Sequence, residues 1–185
     1  MTQRSFLALL LLAGAAAYGS SLVSAPVDLR FVFGNPAVTE AKTLLRSVVH
    51  PVPDGSGTGD LPTYVWRPVT EATFFLNVLF TGRSAFGLRL GSLGIHLSAA
   101  VLVFFLVRKL ATEGTAHWAA LFFAVHPMGI QALTYAYQRY VLVEAALAFA
   151  CLLLYASGRT RWAFLAGLLA MGAKETAVTL PLALG

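Results

Sequence analysis

The amino-acid sequence predicts an all-α polytopic membrane protein with about five transmembrane helices and one long outer loop. Composition is the first reason: 58% of the 185 residues are hydrophobic and only 11% are charged, whereas soluble domains carry about a quarter charged residues. Mean hydropathy is +0.75. The second reason is spacing, because four or five apolar stretches approach the roughly 20 residues needed to cross a hydrocarbon core. The excess of 13 Lys and Arg over 8 Asp and Glu leaves a net charge of +5. No RNA-binding or zinc-ligand spacing accompanies it, so the charge is assigned to topology and anionic headgroups, not to nucleic acid. The single cysteine, Cys151, sits in an apolar run without an internal disulfide partner and reads as a small buried residue.

Residues 1–25 hold the first apolar stretch, FLALLLLAGAAAYGSSLVS, behind the basic start MTQR. It is read as an uncleaved first span; a cleavable signal peptide is the alternative, and Pro26 is a poor residue just past its obvious cleavage point. Residues 26–85 form the outer loop, which holds most of the acidic residues and prolines and the glycine-rich DGSGTGD at 54–60, a flexible middle. Within it, RPVTEATFFLNVLF opens with a proline suited to a first helical position, and Thr70 and Glu71 favour a positive helix end. Phe74, Phe75, Val78 and Leu79 make an apolar face, so residues 68–80 are predicted as a helix lying in the membrane interface.

Residues 86–185 are predicted as a four-helix transmembrane region. Its spans cover 86–107, 117–130, 140–156 and 162–184, the last broken by Lys174-Glu175 and Pro181. If the spans alternate, the basic clusters at Arg4, Arg108-Lys109 and Arg159-Arg161 share one side, which places that side and the amino terminus in the cytoplasm. The long loop and the polar run HPMGIQALTYAYQR (126–139) then share the outer face. On a continuous helix Gln131, Tyr135 and Gln138 would recur at i, i+4 and i+7 as one polar stripe facing protein or a cleft. The candidate site on that face comprises Arg67, His126, Gln131, Gln138, Arg139, Lys174 and Glu175.

The bland alternatives are specific. Arg67 and Arg89 have stems long enough to snorkel to headgroups, which is the reading for Arg89 and an open alternative for Arg67. His96 reads as a helix–helix hydrogen bond. Glu144 reads as an ion-pair partner of Arg139. Lys174 and Glu175, two ionisable residues in an apolar span, read as functional, with mutual neutralisation as the alternative.

Four segments in order, WRPVTEATFFLN (66–77), FGLRLGSLGIHL (86–97), HPMGIQALTYAYQR (126–139) and AMGAKETAVTLP (170–181), resemble the amino-terminal half of transmembrane and tetratricopeptide-repeat O-mannosyltransferases. These are GT-C glycosyltransferases related to the protein O-mannosyltransferases. The resemblance covers residues 5–185 and is strongest from 64 onward; members of the family are several hundred residues long, so it concerns an amino-terminal part. It implies a polyprenyl-phosphate-linked sugar as donor and transfer to a Ser or Thr hydroxyl on the lumenal or periplasmic side, hence a bacterial inner-membrane location. It also implies Arg67, His126, Arg139 and Lys174 as phosphate or sugar contacts, and it leaves a divalent metal open. Such chemistry needs a carboxylate for the acceptor proton and cations for the departing phosphate.

Two departures bear on catalysis. The family's first loop carries an acidic pair in a pattern like F-x-F-D-D, where this chain has FVFGN with Gly34 and Asn35. The family also has a glutamate five residues after the histidine of the HP segment, where this chain has Gln131. None of the three is a base at neutral pH. Asp28, Glu40, Asp54, Asp60 and Glu71 are loop carboxylates that would substitute, and spacing selects none of them. The alternative is therefore a non-catalytic membrane subunit that packs against a protein partner.

Overall fold

The computed structural model describes residues 2–23, 29–53 and 64–184. Asp28, Asp54, Asp60 and the glycine-rich 54–60 lie outside them. The described residues are mostly helical, and among them three helices are long and apolar enough to cross a membrane: Gln3–Leu22, Ala85–Leu110 and Ala136–Ala156.

The first begins as α1 (Gln3–Tyr18), capped by the Thr2 hydroxyl, and tightens into a 3-10 turn over Gly19–Leu22. In the loop, α2 (Arg30–Phe33), a 3-10 turn at Pro36–Val38 and α3 (Ala41–Ser47) precede an antiparallel bridge of β1 (Val52–Pro53) with β2 (Tyr64–Val65). Next comes α4 (Pro68–Thr81), which starts on proline, where a missing N–H costs nothing. It ends at Gly82, whose φ of 66° is open to glycine at little cost. The loop is folded onto the helices: Val32, Val38, Phe74, Leu88 and Ala136 form one buried cluster.

Helix α5 (Ala85–Leu110) is the central element, contacting α1, α4, α6 and α8. Helix α6 (Glu113–Val125) lays Ala116, Ala120 and Ala124 against α1 and α5. Their spacing of four puts small side chains on one face, so backbones approach closely where lipid supplies no hydrophobic drive. The approach is closest at Gly14, where an added Cβ would lie 2.4 Å from Leu97 Cδ2. His96 bonds across it, its Nε2 3.2 Å from the Ala124 carbonyl, as the sequence indicated. After α7 (Gly129–Thr134) and a 3-10 turn at Ala136–Gln138, α8 (Arg139–Ala156) pairs with α9 (Thr160–Ala173) through Cys151, Ala163 and Ala166. A 3-10 stretch at Glu175–Thr179 and α10 (Leu180–Leu184) follow.

Large apolar side chains cover the outside: Leu12, Phe80, Trp118, Phe122 and Phe164 are each more than 60% exposed. That suits a lipid solvent and is costly in water. The two ends of the bundle differ. At one end Arg108 donates to Gln3 Oε1 at 2.6 Å, and Lys109 donates to the Ala156 carbonyl at 3.4 Å beside Arg159. At the other, the start of α8 meets α4 and the end of α9, about 27 Å away along the 18 residues of α8 at roughly 1.5 Å each.

Candidate functional site

Arg139 is the largest fully buried side chain, 1% exposed. Its Nε donates to Ser92 Oγ at 3.0 Å, Nη1 to the Thr73 carbonyl at 3.3 Å, and Nη2 to Asn77 Oδ1 at 2.8 Å and to the Leu88 carbonyl. Its guanidinium lies 4.4 Å from the Phe74 ring centroid. The planar fork thus ties α8 to α4 and α5, a geometry that Lys cannot reproduce. Gly91 makes room for it: a Cβ there would lie 2.0 Å from Asn77 Oδ1 and 3.1 Å from Arg139 Nη2. The expected Glu144–Arg139 ion pair is not formed, because Arg139 points into this polar socket and Glu144 engages Lys174 and Thr176.

A second cationic cluster forms where the loop meets the ends of α8 and α9. Pro68 disfavours the helical conformation for the residue before it, and Arg67 adopts φ −141°, ψ 54° outside α4. Its guanidinium carbon sits 3.9 Å above the Tyr140 ring centroid, and Nη2 is 3.6 Å from Glu175 Oε1. Lys174, extended at φ −158° where α9 stops, brings Nζ 5.7 Å from the same ring and 3.7 Å from Glu144 Oε2. Thr176 donates to the other Glu144 oxygen. Mutual neutralisation of Lys174 and Glu175 therefore gives way to crossed pairing, because the backbone turn between them sends the two side chains to different partners.

Arg67 also lines a small cavity of about 30 Å³, with Val32, Asn35, Val38 and Phe74 on its inner wall and Tyr137 and Tyr140 on the α8 side. Glu71 lines it too, four residues after Arg67 and so on the same face of the helix start. Glu71 is only 5% exposed; Asn35 Nδ2 donates to its Oε1 at 3.1 Å, and the Asn35 oxygen accepts from the Ala37 N–H at 2.8 Å. Thus the amide standing where a carboxylate was expected orients a carboxylate from the next segment. Glu71 Oε2 and Arg67 Nε are buried with no hydrogen-bond partner. Of the other loop acids, Glu40 is exposed at the start of α3 and accepts from Thr43.

The structure brings Arg67, Lys174 and Glu175 together and separates the rest of the predicted set from them. His126 ends α6, where its carbonyl accepts from the Tyr18 hydroxyl and its ring packs 4.6 Å from that of Phe122. Gln131 is exposed on α7, and Gln138 closes the 3-10 turn before α8. The continuous polar stripe of Gln131, Tyr135 and Gln138 is broken, since Tyr135 at φ −90°, ψ 92° interrupts the helix after Thr134. Arg89 does not snorkel: it is 4% exposed and donates to the Leu22 carbonyl at 3.4 Å. Tyr140 was not singled out in the sequence, and Glu71 stood there as one of five loop carboxylates among which spacing selected none. The four-residue interval between Arg67 and Glu71 was the available signal.

A divalent cation does not fit this donor set. Glu71 and Asn35 supply three hard side-chain oxygens at most beside the Arg67 cation, against the six to eight oxygens that calcium takes or the octahedron that magnesium demands. Among the described residues no group of three His, Cys, Asp or Glu is placed to hold a metal.

The Glu175 carboxyl is held below its ordinary pKa, first by its own backbone N–H, against burial, which raises it, and then by the charge and hydrogen bond of Arg67 and the charge of Lys174. A depressed carboxyl contributes stability above its unfolded pKa and loses it as pH falls through the folded value. Its side chain is 70% exposed, so the contribution is screened. Glu175→Gln is expected to change stability by less than about 1 kcal/mol at neutral pH and to flatten its decline below the usual carboxylate range. Thermal unfolding of both proteins at neutral and acid pH measures this.

No protein-family model, curated protein or solved structure gives a significant match to this chain.

Proposed function

We propose that the chain is a GT-C type glycosyltransferase, or the membrane-embedded amino-terminal part of one. It takes a sugar, mannose being the first candidate, from a polyprenyl-phosphate carrier and transfers it to a protein hydroxyl. In this reading α6 and α9, at 13 and 14 residues, are short third and fifth spans, tolerated by local bilayer thinning. The basic end lies in the cytoplasm of a bacterial inner membrane with the amino terminus, and the Arg67 cluster faces outward.

The observation that carries the reading is the convergence of Arg67 and Lys174 on Tyr140 beside the buried Glu71. The acceptor oxygen bonds to the anomeric carbon as the bond from that carbon to the phosphate oxygen breaks. The electron pair leaves with the polyprenyl phosphate, and Arg67 and Lys174 stabilise its charge. The acceptor proton passes to a carboxylate, for which Glu71 is placed. Glu175 and Glu144 hold the cations until the lipid phosphate displaces them. The exposed Glu175, only 3.6 Å from Arg67 in a loose pair, yields first.

The test is transfer of labelled mannose from polyprenyl-phosphate mannose to a serine peptide by the full chain in proteoliposomes. Wild type is expected to transfer, and Arg67→Ala to lose on the order of 10²-fold or more at unchanged helix content. Absence of transfer by wild type overturns the reading. A non-catalytic membrane subunit bound to a protein partner then remains, and Gly34 and Gln131, at positions where the family carries carboxylates, favour it.

A further inference from the structure

We propose that the cavity between Arg67 and Glu71 is a binding site for a single alcohol hydroxyl, and that Glu71 Oε2 is the atom that receives its proton. The assignment of the acceptor rests on the transfer reading above; the binding chemistry rests on the cavity itself.

Two residues that line one small space each bury a polar atom, and the two atoms are of opposite character. Glu71 Oε2 accepts and Arg67 Nε–H donates, and neither has a partner. Leaving such atoms unpaired costs about 1–3 kcal/mol each, so the site selects a group that satisfies both. A hydroxyl does so alone, donating to Oε2 while accepting from Nε–H. An ammonium would leave Nε–H unsatisfied and sit against the guanidinium, and a phosphate or carboxylate would be repelled by Glu71. The cavity of about 30 Å³ holds a water-sized group, which needs roughly 10–15 Å³. Val32, Val38 and Phe74 exclude anything larger from the inner wall. Asn35 fixes the other carboxylate oxygen, so Oε2 is held in one orientation.

Both atoms are sealed from solvent in this conformation. The alcohol therefore displaces a side chain at the rim. Arg67 is the one that moves without disturbing helix packing, since its side chain keeps 17% exposure and rests on the Tyr140 ring.

The probes are N-acetyl-serinamide and N-acetyl-alaninamide, which differ by one hydroxyl, titrated against the full chain in lipid nanodiscs and followed by saturation-transfer NMR. The serine probe is expected to bind about tenfold more tightly than the alanine probe, since a site built for a hydroxyl discriminates strongly against its absence. The preference falls to about one in Glu71→Leu and by at least about threefold in the nearly isosteric Glu71→Gln, each checked for native helix content. Equal binding of the two probes by wild type overturns the proposal, whether or not either variant folds. A serine preference that persists in a folded Glu71 variant overturns it as well. Serine preference without sugar transfer leaves the hydroxyl site standing and removes the transferase reading; transfer without serine preference removes the hydroxyl site alone.

Discussion

Replacing Arg139 with methionine is expected to destabilise the folded chain by about 3–5 kcal/mol. Methionine fills much of the same volume, so the loss comes chiefly from acceptors left behind. Ser92 Oγ, Asn77 Oδ1 and the carbonyls of Thr73 and Leu88 all face the guanidinium. At membrane depth no solvent replaces it, and a cation there is tolerated only when so surrounded. Arg139→Lys should recover only part of the loss, because one ammonium cannot reach four acceptors spread over two helices. Unfolding in a graded sodium dodecyl sulfate titration, read by circular dichroism, measures both variants. If Arg139→Met unfolds at the wild-type midpoint, the socket is not structural and Arg139 returns to the candidates for ligand contact. For the same reason an activity lost in an Arg139 variant says little about catalysis, and Arg67 is the better probe.

Glu71→Gln is expected to lower transfer by about 10²–10⁴-fold, the range contributed by a positioned general base. The amide keeps the size of the side chain and a bond to Asn35, so the helix start and the cavity walls stay in place. Loss confined to kcat, with the KM for the lipid-linked sugar unchanged, identifies Glu71 with the proton and not with the phosphate. Arg67→Ala should raise that KM as well, because the proposed reaction assigns the carrier phosphate to its guanidinium. Undiminished turnover in Glu71→Gln would send the proton elsewhere, and Asp28, Asp54 or Asp60 in the same loop would become the bases to test.

Helix positions were legible because they depend on local pattern. Pro68 at a first helical position and the apolar lengths of α1, α5 and α8 appear in the chain as they appear in the structure. The His96 bond was legible for a related reason: a polar ring in a long apolar helix has few partners other than a neighbouring backbone. The site was less legible. Lys174 and Glu175 were identified by being ionisable in an apolar span and Arg67 by its place on the predicted outer face, and they do meet. Arg139 carried the same signal and lies in a structural socket. Charge at membrane depth signals that a partner exists without saying which one.

By itself, the sequence determined that this is a helical, lipid-compatible chain, since hydropathy and short-range spacing act within single elements. Only the tertiary structure decided which ionisable groups are satisfied. Four helices and the folded loop must meet before Asn35 reaches Glu71, before Lys174 turns from Glu175 to Glu144, and before Arg139 closes on α4 and α5. Those contacts join residues 30 to 66 positions apart, a distance over which no periodicity in the chain carries information.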